Sequence, residues 1–182
     1  GTDTVTYTIS DGKGGTSTAI ATITIAPQND APVAANDFGA VDEDATLNVS
    51  AANGLITSTA TPAGADRDID GDTLTLSAIR TGAESASGTT GTVGTAITGT
   101  YGTLTVQADG SYTYVANQAA ALAAGATATD TFTYTVSDGS KTDTAELVIT
   151  LTGTNDTPVI SGGVAGAVTE DITLSTSGTL VI

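Results

Sequence analysis

DTFTYTVSDG, Asp130 to Gly139, decides the reading of this chain. Phe132, Tyr134 and Val136 fall on one face and Thr131, Thr133 and Thr135 on the other, the two-residue period of a half-buried strand. Asp138-Gly139 supplies residues that tolerate positive φ and predicts a tight hairpin turn. The return strand, Thr144 to Thr152, sends Ala145, Leu147, Ile149 and Leu151 inward. The same grammar runs outward in both directions. GTLTVQADGSYTYV (Gly102 to Val115) predicts a hairpin turning at Asp109-Gly110, with Leu104 and Val106 answered by Tyr112 and Tyr114. Thr73 to Ile79 and Ala45 to Val49 add strands, and Thr4 to Ile9 with Ser17 to Ile25 form another hairpin around Asp11-Gly12. Only Asn117 to Ala124, closed by Gly125, invites a helix, of two turns at most. About seven strands in one unit and no long helix predict sheet packed on sheet.

The stretch also recurs. TVTYTISDG (Thr4 to Gly12) returns as TFTYTVSDG (Thr131 to Gly139) after about 126 residues, NDAPV (Asn29 to Val33) as NDTPV (Asn155 to Val159), and AVDEDATL (Ala40 to Leu47) as AVTEDITL (Ala167 to Leu174). Such a period is that of a self-standing domain, not of a solenoid unit. The chain therefore divides into the C-terminal hairpin of one repeat (1–28), a complete repeat (29–155) and the N-terminal part of the next (156–182). A lone hairpin is marginal in water. The apolar face of Val5, Tyr7, Ile9, Ile23 and Ile25 thus needs a cover, from residues 157–182 or from a neighbouring molecule.

Twenty Asp and Glu against four Lys and Arg give a formal charge of -16. Nucleic acids and anionic membranes are polyanions held by Lys and Arg, so neither is an expected partner. High charge with few aromatics also describes disordered chains, but long alternations of Thr with Val, Ile, Leu and Tyr are strand chemistry. Cysteine is absent, so no disulfide braces the fold. No apolar run of 18 residues predicts a membrane span, and no charged-then-apolar leader opens the chain, as expected of an internal fragment.

The chemistry lies in the acids. ADRDIDGDTL (Ala65 to Leu74) sets Asp66, Asp68, Asp70 and Asp72 ahead of a strand, with Gly71 allowing a sharp bend. Four carboxylates so close repel one another, and a hard dication taking several oxygens at about 2.3–2.6 Å removes that repulsion. Calcium is the natural candidate, against a plain solvated turn rich in Asp. An EF-hand is excluded, because its twelfth-position Glu would fall at Ser77. A second cluster surrounds Pro32: Asn29, Asp30, Asn36, Asp37, Asp42, Glu43 and Asp44. A carbonyl or carboxylate pair before a stiffening Pro can hold an ion between two domains, or simply form an Asx turn. Asn155, Asp156, Glu170 and Asp171 repeat the arrangement, without acids at Gly162 and Gly163.

NDAPV, the VDED segment, DIDGDTLTL, GTLTVQADGSYTYVAN and DTFTYTVSDG followed by a strand and NDTPV together resemble a tandem-95 or VCBS repeat. This is a cadherin-like module of large bacterial RTX-type surface proteins. The resemblance covers essentially the whole chain. It implies an all-β, immunoglobulin-like Greek-key sandwich repeated in tandem within type I-secreted adhesins and biofilm proteins, with calcium at the joints. Carried over by position, Asp68, Asp70 and Asp72 match the DxDGD motif, Asn29 and Asp30 the linker, and Glu43 and Asp44 the opening acidic pair.

Neither His nor Cys is present, which removes Ser-His-Asp and Cys-His nucleophiles and the usual zinc sites. Paired carboxylates hydrolyse glycosides, but a sugar-cleaving groove needs aromatic platforms, and the chain has no Trp, two Phe and five Tyr. An enzyme is not expected. The expected role is an extracellular, calcium-stiffened extender that holds an adhesive domain away from the cell, its partners being neighbouring repeats. The rival is a calcium-dependent module that itself binds glycans or proteins, for which the long polar stretch Arg80 to Gly99 would serve as an adaptable loop.

Overall fold

The computed structural model describes residues 1–59 and 64–157. The second copies of the linker Pro and acidic pair, at Pro158, Glu170 and Asp171, lie outside the described residues, as does most of the segment assigned to a following repeat. In chain order the strands are β1 (Thr2–Ser10), β2 (Thr16–Thr24), β3 (Asp37–Asp42), β4 (Thr46–Val49), β5 (Thr75–Thr81) and β6 (Thr90–Gly91). There follow β7 (Ile97–Thr98), β8 (Thr103–Val106), β9 (Tyr112–Val115), β10 (Thr127–Ser137) and β11 (Thr142–Thr152).

β1 and β2 form a separate antiparallel hairpin, every residue of it exposed. The rest is a sandwich of a five-stranded sheet, β3-β11-β10-β5-β6, and a four-stranded sheet, β4-β9-β8-β7. The chain changes sheet between β3 and β4, β4 and β5, β6 and β7, and β9 and β10, the interleaving of a Greek key. Alternation places the core as expected: Phe132, Tyr134, Val136, Ala145, Leu147, Ile149 and Leu151 face Leu104, Val106, Tyr112 and Tyr114 across the layers. The Tyr114 and Phe132 rings meet edge to face at 6.3 Å. Leu104 pairs with Tyr114 and Val106 with Tyr112, the register that a turn at Asp109-Gly110 requires.

Four features depart from the sequence reading. First, Asp37–Asp42, to which the sequence reading assigns no strand, is one: β3 lies parallel to β11 at the sheet edge, Asp37 beside Leu147 and Asp42 beside Thr152. Second, Asn117 to Ala124 is not helical. It makes single turns, with the Leu122 N–H on Ala119 O and the Ala126 N–H on Ala123 O, and is tied to the residue after β11 by the Gly125 N–H on Gly153 O and the Gly153 N–H on Ala126 O. A Cβ at Gly153 would stand 2.2 Å from Ala123 O, which shows how closely the two backbones approach. Third, the hairpin loops are longer than two residues, 11–15 between β1 and β2 and 138–141 between β10 and β11. Fourth, Arg80 to Gly99 is not free: the Arg80 guanidinium donates to the carbonyls of Thr81, Ala83, Glu84 and Ala86, and β6 and β7 both lie within it.

Asp130 joins the sheets. It is buried at the β10 register opposite Ile149. Its Oδ1 accepts the Thr100 N–H at 2.8 Å, and its Oδ2 accepts the Tyr101 and Gly102 N–H groups at 2.9 and 3.1 Å and the Tyr114 hydroxyl at 2.6 Å. Four donors from the facing sheet thus converge on one carboxylate.

Candidate metal centre

The loop that leads into β5 is curled by its own acids. Asp68 Oδ1 accepts the N–H of Asp70 at 2.8 Å and of Asp72 at 3.5 Å, while Gly71 takes φ 79°, which a residue with a side chain rarely adopts. One carboxylate oxygen from each of Asp68, Asp70 and Asp72 lies within 4.8 Å of the others. Asp68 Oδ2 is buried with no hydrogen-bond partner. A buried carboxylate oxygen without a donor is costly, and a cation bound there would satisfy it. Three carboxylates offer only oxygen, the donor that Ca²⁺ takes.

The linker comes to this loop. Asp70 Oδ2 accepts the Asp30 N–H at 2.7 Å, and Val33 and Arg67 exchange backbone bonds of 2.8 and 3.1 Å. Asn29 Nδ2 donates to Asp138 Oδ2 at 2.7 Å, and Lys141 Nζ donates to Asn29 O. The Asp30 backbone therefore meets the loop of Asp68, Asp70 and Asp72, although 40 residues separate it from Asp70, while Asn29 bonds the turn at Asp138 and Lys141. Asp138, read from sequence as a turn residue alone, also reaches the linker. Its carboxyl is held below the usual range by the Lys141 and Ser140 N–H groups and by Asn29.

The other predicted ligands separate. Asp66 points away from its neighbours, into a buried site with Asp37: its Oδ1 accepts the Ala35 N–H at 2.7 Å and its Oδ2 has no partner. The Tyr134 hydroxyl lies 2.6 Å from Ala35 O, 3.0 Å from Asp37 Oδ2 and 3.4 Å from Asp66 Oδ1. One hydroxyl proton faces three acceptors, so it cannot satisfy both carboxylates. Asn36 Oδ1 accepts the Glu146 N–H at the sheet edge. Asp42, Glu43 and Asp44 sit at the far end of β3, where the Glu43 N–H bonds Thr152 O and Glu43 Oε1 accepts the Thr154 N–H. Glu43 is buried, and its Oε2 has no partner. The acids around Pro32 are thus divided between the two ends of the sandwich, because β3 is extended.

Burial raises Asp37 to about 6 and Asp66 to about 7, with the Asp37 charge adding to the effect on Asp66. A carboxylate raised in the folded state holds its proton longer there than in the unfolded chain. The stability it supports is therefore greatest below the unfolded value near 4 and falls as pH rises through 6 and 7. In chelator, the urea midpoint is expected to be higher at pH 5 than at pH 8, by roughly 2 kcal/mol in stability, and Asp66→Asn should flatten much of the slope. Equal midpoints would mean that water reaches both carboxylates.

A sequence profile of the bacterial cadherin-like domain matches residues 29–153. Among solved structures, the chain is similar to the endo-fucoidan hydrolase MfFcnA4 of glycoside hydrolase family 107, at 20% identity and a TM-score of 0.39, over 85% of this chain and 19% of that one. A point variant of that enzyme gives 22% identity and the same TM-score and coverage. The chain spans about a fifth of the enzyme's length. No curated protein matches the chain. Among the described residues, no helix is long and apolar enough to cross a membrane.

Proposed function

The chain belongs to the bacterial cadherin-like domain family, and from that premise we propose that it is a calcium-stiffened extender of a secreted bacterial cell-surface adhesin. Its work is to space an adhesive domain from the cell in adhesion or biofilm formation. The observation that carries the reading is the meeting of the linker with Asp68, Asp70 and Asp72 beside a buried carboxylate oxygen that lacks a donor. An ion held there would cross-link the loop ahead of β5 to the segment entering the sandwich, and so restrict the bend at the joint. Glu43 offers a similar unpartnered oxygen at the opposite end, next to Thr154 and the second Asn-Asp pair. Eleven residues of β11 span about 36 Å, so ions at both ends would serve joints a strand length apart.

The test is calorimetric. Titration of calcium into the chain is expected to give saturable binding heat, most of which disappears when Asp68, Asp70 and Asp72 are replaced by Asn. Absence of heat in the unaltered chain at millimolar calcium would remove this reading. Heat that survives the triple substitution would move the ion to Glu43 or to Asp37 and Asp66.

A further inference from the structure

The hairpin of β1 and β2 repeats β10 and β11 residue for residue, yet leaves its core face open. Val5 corresponds to Phe132, Tyr7 to Tyr134, Ile9 to Val136, Ala19 to Ala145, Ala21 to Leu147, Ile23 to Ile149 and Ile25 to Leu151. Pairing follows the same register: Val5 faces Ala21 and Tyr7 faces Ala19, as Phe132 faces Leu147 and Tyr134 faces Ala145. The seven counterparts in β10 and β11 are each 1% exposed or less. Val5, Tyr7, Ile9, Ile23 and Ile25 are 49–63% exposed. So contiguous an apolar face on an otherwise acidic chain marks an interaction surface.

Asp3 says what fits there. It stands opposite Ile23 as Asp130 stands opposite Ile149. Asp130 receives the backbone amides of Thr100, Tyr101 and Gly102 and the Tyr114 hydroxyl, whereas Asp3 receives the N–H of its own neighbour, Thr4, at 2.8 Å. Asp3 shares the face of Val5, Tyr7 and Ile9, so whatever covers that face must bring donors to it or strand a buried charge. A second copy of the hairpin brings another carboxylate. A segment with the order of β3 to β9 brings a Thr-Tyr-Gly turn and a tyrosine.

We propose that this face is the docking surface for the β3-to-β9 part of another repeat of the same type, standing ahead of the hairpin in the chain, with Asp3 accepting from its turn and its tyrosine. The inference does not depend on calcium. To test it, a second copy of residues 30–127 is fused directly ahead of Gly1, in the register of the repeat, and hydrogen exchange is compared with the 182-residue chain. The amides of Val5 to Ile9 should exchange at least about 100-fold more slowly in the fusion. Asp3→Ala should cost the fusion about 10-fold or more of that protection and leave exchange in the 182-residue chain unchanged. Equal exchange with and without the added segment overturns the proposal. Protection in the 182-residue chain that grows with concentration, together with a dimer in sedimentation, would assign the face to a second copy instead. Calcium titration of the same two proteins reads the ion sites separately, so either reading can fail without the other.

Discussion

Asp130→Ala is expected to lower the melting temperature of the calcium-saturated chain by about 15 °C. Truncation leaves three backbone N–H groups and the Tyr114 hydroxyl without their acceptor, of which the Gly102 N–H and the Tyr114 hydroxyl are buried. Hydrogen bonds to a charged group contribute about 1.5–3 kcal/mol each, and the loss of several is partly relieved by relaxation of the 99–102 turn, so about 4 kcal/mol is a reasonable total. For a unit of this size each kcal/mol shifts melting by about 4 °C. Asp130→Asn should fall between the two, since its amide oxygen still accepts while its NH₂ faces donors. Tyr114→Phe, which removes a single donor, should cost about 1.5 kcal/mol. A shift below about 3 °C for Asp130→Ala, or the reverse order among the three variants, would mean that the turn stands without its carboxylate. Saturating calcium is specified so that any effect on ion binding does not enter the comparison.

Removal of calcium is expected to loosen the chain. An ion that binds the folded form alone stabilises it by about 2.7 kcal/mol per site at 100 times its dissociation constant, about 10 °C in melting temperature for one site. In chelator the linker around residues 27–36 should be cut first by protease, because its Asp30 and Asn29 contacts are to an acidic loop and turn that the ion no longer neutralises. Matched ionic strength is needed, since salt alone screens a net charge of -16. The Asp68→Asn, Asp70→Asn, Asp72→Asn variant should melt at nearly the same temperature in calcium and in chelator. Coincident melting curves for the unaltered chain would contradict the proposed role at the joint.

Much of the sandwich is legible in single strands because a period of two is a local property. Asp130 to Val136, Thr144 to Leu151 and Gly102 to Val115 declare both their direction and their inner face. β5 does not. Leu76 and Ile79 both point into the core though three residues apart, because the pairing with β10 shifts between Thr135 and Val136. A bulge of this kind resets which face a residue occupies, and nothing in TLTLSAI signals it. β3 was hidden for a different reason. Its burial alternates, but Asp37, Gly39 and Val41 take the inner positions while Phe38 stays exposed, so no alternation of hydrophobicity in the sequence marks it.

The residue types were enough to determine an acidic all-β repeat, its hairpin faces, and the adjacency of Asp68, Asp70 and Asp72, since those follow from spacing along one chain. Only the tertiary structure decided that the Asp30 backbone meets that loop, that Asn29 meets the turn at Asp138, that Asp66 turns inward to Asp37, and that Glu43 stands at the far end of the sandwich. The physical reason is that contacts between carboxylates and amides 30 to 110 residues apart are set by how sheets cross and strands register. Those crossings are settled by burial of the whole core, not by the residues that make the site.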